Sequence, residues 1–171
     1  MTKKYMRYYN PEFKLEIYYP KKWEPIEGFA DSLVSIQSPR AGKKDPFREF
    51  VQLMVVDFLN PALDILEEFS QRAVANLEQE FDGFEIVSPL ADATLSGFPA
   101  KTFSYHHINN QLELVSTSIW TVQEYRAYIV STSAMRDELN EYQETFKKMI
   151  DSFKILEIGP HPALEPFKNK L

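Results

Sequence analysis

The chain contains no cysteine in 171 residues. That absence excludes disulfides, thiol catalysis, iron–sulfur clusters and thiolate zinc sites together. It also removes the cysteine that would carry a lipoprotein anchor. Glycine is scarce, at 5 residues, and no Gly-x-Ser-x-Gly, P-loop or dinucleotide fingerprint is present. No apolar run approaches the ~20 residues that span a bilayer as a helix. Positive charge is also in deficit: 19 Lys and Arg stand against 25 Asp and Glu, for a net charge of -6. Phosphate backbones require a basic field, so this balance argues against a nucleic-acid partner. The opening Met1-Thr-Lys-Lys-Tyr-Met-Arg-Tyr is basic but leads into no apolar stretch, unlike a signal peptide. The cytoplasm is therefore the expected location, with a trimmed exported form as the alternative.

Aromatic residues are abundant: 13 Phe, 9 Tyr and 2 Trp. They favour strands and a bulky core. A chain of this length buries roughly 70% of its unfolded surface and folds without staples. The sequence divides into one domain over residues 1–158 and a Pro-rich tail over 159–171.

Phe13, Leu15, Ile17 and Tyr19 alternate with Lys14, Glu16 and Tyr18. This is the period of a half-buried strand, ended by Pro20. A second strand is expected over residues 33–38. A third is expected over 48–58, with Val51, Leu53, Met54, Val55 and Val56 placing apolar side chains on both faces. Asn60-Pro61 reads as a helix entry, with Leu66, Phe69, Ala73, Leu77 and Phe81 at helical spacing and Gly83 as C-cap. A meander of strands follows over 85–94, 98–108, 111–122 and 126–132. Its turns are placed at Ser96-Gly97, Asn109-Asn110 and Gln123-Glu124. A last helix over 135–153 carries Leu139, Tyr142, Phe146, Met149, Ile150 and Phe153 on one stripe. No internal repeat is read. The order β-β-β-α-β-β-β-β-α predicts an α+β fold, an α/β/α sandwich with a mainly antiparallel central sheet and a helix on each face.

Four stretches carry a family resemblance: Phe13-x-x-x-Ile17-x-Tyr19-Pro20-x-x-Trp23, Ser38-Pro39 with Asp45-x-Phe47-x-Glu49-x-Val51, Leu95-x-Gly97-x-Pro99-Ala100, and Phe146 with Ser152-Phe153-x-Ile155. Through them the chain resembles the PsbP/Mog-like superfamily, shared by the photosystem II extrinsic protein PsbP and the Ran-binding Mog protein. The likeness extends over residues 13–156. It implies a non-enzymatic binding or assembly module with a protein partner. The sequence shows no export signal or anchor cysteine like those of photosynthetic members, which argues against the lumenal role that the resemblance would otherwise imply.

Few residues suggest chemistry. His106 and His107 are adjacent in a strand and point to opposite faces, so they are poorly placed to share a metal. They read first as hairpin-end histidines in water; Glu113 across the hairpin makes a weak metal site the alternative. His161 lies between prolines of the tail. The paired carboxylates Glu67-Glu68 and Asp137-Glu138 read as solvated helix faces. Trp23 and Trp120 read as core. The loop Arg40-Ala-Gly-Lys43-Lys44-Asp-Pro-Phe47 places basic residues beside an aromatic on an acidic chain, so Arg40, Lys43, Lys44 and Phe47 are the candidate partner-binding residues. The ordinary reading of that run is a solvated loop.

No cofactor is expected. The functional expectation is thus a protein-binding or assembly factor and not an enzyme. A small-ligand or metal-binding carrier is the alternative, with a hydrolase behind it. The carrier reading requires a deep apolar cavity between the sheet and one helix. An enzyme requires a histidine to meet Asp57 and an arginine in a pocket.

Overall fold

The computed structural model describes residues 4–159; most of the expected tail, including His161, lies outside them. The strands are β1 (Tyr5–Asn10), β2 (Leu15–Pro20), β3 (Glu24–Glu27), β4 (Val34–Gln37) and β5 (Phe50–Asp57). Helix α1 (Leu66–Glu80) follows, then β6 (Asp82–Leu95), β7 (Phe98–Asn109), β8 (Leu112–Gln123) and β9 (Arg126–Met135). Helix α2 (Leu139–Ser152) and the short β10 (Lys154–Ile155) complete the described chain. The architecture is mixed and sheet-dominated, with two helices and two antiparallel sheets.

The large sheet has seven strands in the order β3-β4-β5-β9-β8-β7-β6. Its hairpins turn on residue pairs with positive φ: Ser96 and Gly97, Asn110 and Gln111, Glu124 and Tyr125. Two consecutive left-handed residues give the backbone twist that suits a two-residue hairpin. The second and third turns therefore fall one residue later than the sequence predicts. Pairing decides this: His107 opposes Leu114 and Val122 opposes Ala127, and a one-residue slip would send every side chain to the wrong face.

A second, three-stranded sheet in the order β1-β2-β10 was not expected from the sequence. β2 is its middle strand, which explains why Glu16 is buried along with Leu15, Ile17 and Tyr19; an ion pair with Arg7 compensates its charge. The edges of the large sheet are β3 and β6, and each carries a proline, Pro25 and Pro89.

Both helix entries differ in detail from the sequence reading. Asn60 Oδ1 accepts from the Ala62 amide, but it caps a 3-10 turn over Pro61–Asp64, and α1 starts only at Leu66. A 3-10 turn over Arg136–Glu138 likewise precedes α2. Gly83 is not the cap of α1. The helix closes at Phe81, whose amide donates to the Leu77 carbonyl. Gly83 lies inside β6 at a register shift, with φ of 63°. Any Cβ there would stand 2.8 Å from Ile108 Cδ1, so the bulge needs glycine.

Two apolar clusters organise the packing. One joins Phe146 and Met149 of α2 to Trp23, to Leu15 and Ile17 of the small sheet, and to Val51, Leu53, Ile119 and Val130 of the large sheet. The other joins Phe69 of α1 to Phe103, Tyr105, Trp120 and Val122. Ile119 and Trp120 are neighbours on β8 yet feed different clusters, as strand alternation requires.

Candidate ligand-binding site

Helix α1 is fastened to the sheet by its first two turns. Trp120 Nε1 donates to Ser70 Oγ at 2.8 Å, and Ser70 Oγ donates onward to the Leu66 carbonyl at 2.6 Å. Phe69 meets the Trp120 ring edge-on, with centroids 6.3 Å apart, and Phe58 closes over Phe69. Only Phe69 and Ser70 of the helix are buried. Beyond them Ala73, Asn76, Leu77 and Glu80 overhang a cavity of about 410 Å³. Its floor crosses β5, β9, β8 and β7. The size and the apolar, aromatic lining suit a small organic ligand.

Serines keep the floor low. Val115-Ser-Thr-Ser118 on β8 and Val130-Ser-Thr-Ser133 on β9 are the same four residues, and antiparallel pairing centres them on Thr117 opposite Thr132. Ser116 and Ser133 hydrogen-bond at 2.6 Å, and Ser118 and Ser131 at 2.8 Å. All of them line the cavity. Serine is a poor strand former, and valine or isoleucine at these positions would fill the space. This duplicated tetrapeptide was the sequence signal for the site. The sequence reading missed it because serines read singly look like surface residues.

His107 stands at one end of the cavity. It is 4% exposed, with the Phe81 and Tyr105 rings tilted against it at centroid distances of 4.5 Å and 5.3 Å. Its Nε2 bonds Ser116 Oγ at 2.9 Å, while its Nδ1 is buried with no hydrogen-bond partner among the described residues. Burial pushes the imidazole pKa down, and the neighbouring His106 adds to this, so the ring is neutral at pH 7. Tyr105 stacks on Phe103 at 5.0 Å. Burial raises the pKa of its phenol, with the Ser118 and Ser116 hydroxyls opposing the shift and the Glu80 charge adding to it.

The expectation of two histidines in water is corrected, since both are buried. They do diverge as strand neighbours must. His106 Nδ1 lies 3.3 Å from the Gly83 carbonyl and its Nε2 lies 3.6 Å from Glu113. Among the described residues no group of three metal-ligating side chains comes together. Asp57 binds Arg126 at 2.5 Å where β5 meets β9, at the far end of the sheet from both histidines, so the enzyme constellation does not form. The Arg40 to Phe47 loop is folded around Asp45. Arg40 donates to the Asp45 carbonyl at 2.7 Å and the Ala41 amide to the Asp45 carboxylate at 2.9 Å. Lys43 and Lys44 are exposed, and Phe47 is half-buried against Phe50. No helix among the described residues is long and apolar enough to cross a membrane.

Solved structures share this architecture. Cyanobacterial PsbP (CyanoP) from Synechocystis sp. PCC 6803 aligns with a TM-score of 0.62 at 15% identity, over 89% of this chain and 92% of that one. The chain has the PsbP-like fold. LpqN of Mycobacterium tuberculosis, described as involved in cell envelope biogenesis, aligns at 0.65 and 15% identity over 90% of this chain and 91% of its own. Protein PA94 of Pseudomonas aeruginosa, described as a putative regulator, aligns at 0.60 and 14% identity over 94% and 99%. No protein-family model matches the sequence, and no curated protein does.

Proposed function

We propose that this chain is a non-enzymatic binding domain that holds a small, largely apolar ligand between α1 and the large sheet. The observation that carries this reading is the cavity itself, walled by Trp120, Tyr105, Phe81 and Leu77. The reading takes α1 and α2 to cover opposite faces of the sheet, which the division of Ile119 and Trp120 between two clusters supports. The test is titration with the neutral dye N-phenyl-1-naphthylamine, whose emission rises in apolar surroundings. Ala73 lines the cavity from the helix, so Ala73→Phe should fill it and weaken dye binding at least ten-fold. Equal binding by a folded Ala73→Phe variant would move the site elsewhere.

A second reading, docking of an acidic protein partner, is supported by the exposed Lys43 and Lys44, which have no ion pair among the described residues. Arg40 and Phe47 would frame that surface. Its test is charge reversal of Arg40, Lys43 and Lys44. One protein retained by the wild type at low salt and released by the reversal would support it. Unchanged retention would remove it.

A further inference from the structure

The charge around the cavity is one-sided. Among the described residues Glu80 is the single charged side chain in its lining, and no lysine or arginine lines it. Glu80 has no ion-pair partner among the described residues, yet its charge reaches the Tyr105 hydroxyl. It is also the last residue of α1, where the helix dipole is negative and a carboxylate is disfavoured. Glu78 shares that last turn, no basic residue offsets it, and Asp82 opens β6 just beyond. Helix ends ordinarily attract lysine or arginine, and this one concentrates negative potential beside a cavity. Phe81, Tyr105 and Trp120 line the cavity, and aromatic rings favour a cation over an anion as neighbour. His107, in the same lining, is held neutral by burial and does not repel positive charge.

We infer that the ligand is a small organic cation: an amine whose apolar body fills the aromatic-lined cavity and whose ammonium lies beside Glu80. This rests on the ligand-binding reading above and names the chemistry it selects. Carboxylate and phosphate ligands would meet Glu80 and the negative helix terminus, with no cation among the described lining residues to receive them.

Three matched probes test the inference in the full chain at pH 7.5: 1-naphthylmethylamine, 1-naphthylmethanol and 1-naphthoate, each competing against N-phenyl-1-naphthylamine. The amine should displace the dye at roughly three- to ten-fold lower concentration than the alcohol, and the carboxylate should be weaker than both. Glu80→Gln should remove most of the amine's advantage while leaving the alcohol unchanged. Folding should survive, because the position is exposed and the substitution relieves the dipole. Raising the salt should narrow the amine–alcohol gap. The inference is overturned if naphthoate competes as well as the amine, or if Glu80→Gln leaves the amine–alcohol ratio intact. If the dye itself fails to bind, the cavity reading falls and this inference falls with it. Dye binding without a preference for the amine removes this inference alone.

Discussion

Glu49, the residue just before β5, faces Glu138 in the 3-10 turn before α2, and the interaction pushes the Glu138 pKa up to about 7. Hydrogen bonding to Glu49 is the main cause, followed by burial and by repulsion from the Glu49 charge. Glu49 is fully buried, at 0% exposure, and its Oε2 accepts from Ser38 Oγ at 3.0 Å. Tyr142 faces the same group, and its pKa is pushed up to about 12, first by burial and then by the Glu49 charge. Two adjacent carboxyls hydrogen-bond only with a proton between them, which is why the contact favours the protonated form of Glu138.

The pH consequence has a definite sign. A folded-state pKa above the ordinary 4.5 stabilises the fold fully below about 4.5, and that contribution is lost as pH rises through about 7. Glu138 is only partly buried, so the effect is about 1–2 kcal/mol after solvent screening. Urea midpoints should fall between pH 5 and pH 8 in the wild type, and Glu138→Gln should flatten that slope. An equal slope in the variant would rule out the shared proton.

His107 should act in the opposite sense. Its folded pKa is lowered from 6.5, so its contribution is present above 6.5 and lost as pH falls below it. In the Glu138→Gln background the remaining slope near pH 6 should therefore be positive. NMR titration of the His107 ring checks this directly. A midpoint at or above the ordinary histidine value would contradict the burial argument.

Ser70 holds α1 to the sheet through Trp120 Nε1. Ser70→Ala leaves that buried N–H without its acceptor and should cost about 1–3 kcal/mol. It should also shift the tryptophan emission, which Trp23→Phe isolates to Trp120. A loss below about 0.5 kcal/mol would show that water or Phe69 packing anchors the helix instead.

Gly83→Ala combines a left-handed φ with a Cβ in close contact with Ile108. A cost of roughly 1–3 kcal/mol is expected in thermal or urea unfolding. Adding Ile108→Ala should return the clash part of that loss but not the backbone part. A double mutant that recovers nothing would show the clash is relieved without cost.

The strands of the meander were legible because Phe98 to Met135 is rich in β-branched and aromatic residues and each hairpin has a short polar turn. β1 and β10 were not, because Tyr5–Asn10 has no regular period and two residues cannot show one. The binding site was harder for the same physical reason. Ser116 and Ser133 are 17 positions apart and become a floor only when β8 and β9 pair. Glu49 and Glu138 likewise sit far apart in sequence, and Glu138 read as one of an exposed pair with Asp137. Pairing chemistry of this kind is a property of the assembled sheet, whereas Trp23, Trp120 and Phe153 declared themselves as core by size and apolarity alone.

The prolines of the two edge strands have a consequence for how this protein behaves in a crowd. Pro25 on β3 and Pro89 on β6 each lack the amide hydrogen that an incoming strand would need. The register shifts along β6 break the remaining row of donors into short pieces. Neither rim of the large sheet therefore offers a continuous template, so edge-to-edge growth into aggregates is disfavoured even though the sheet is wide and rich in aromatic residues.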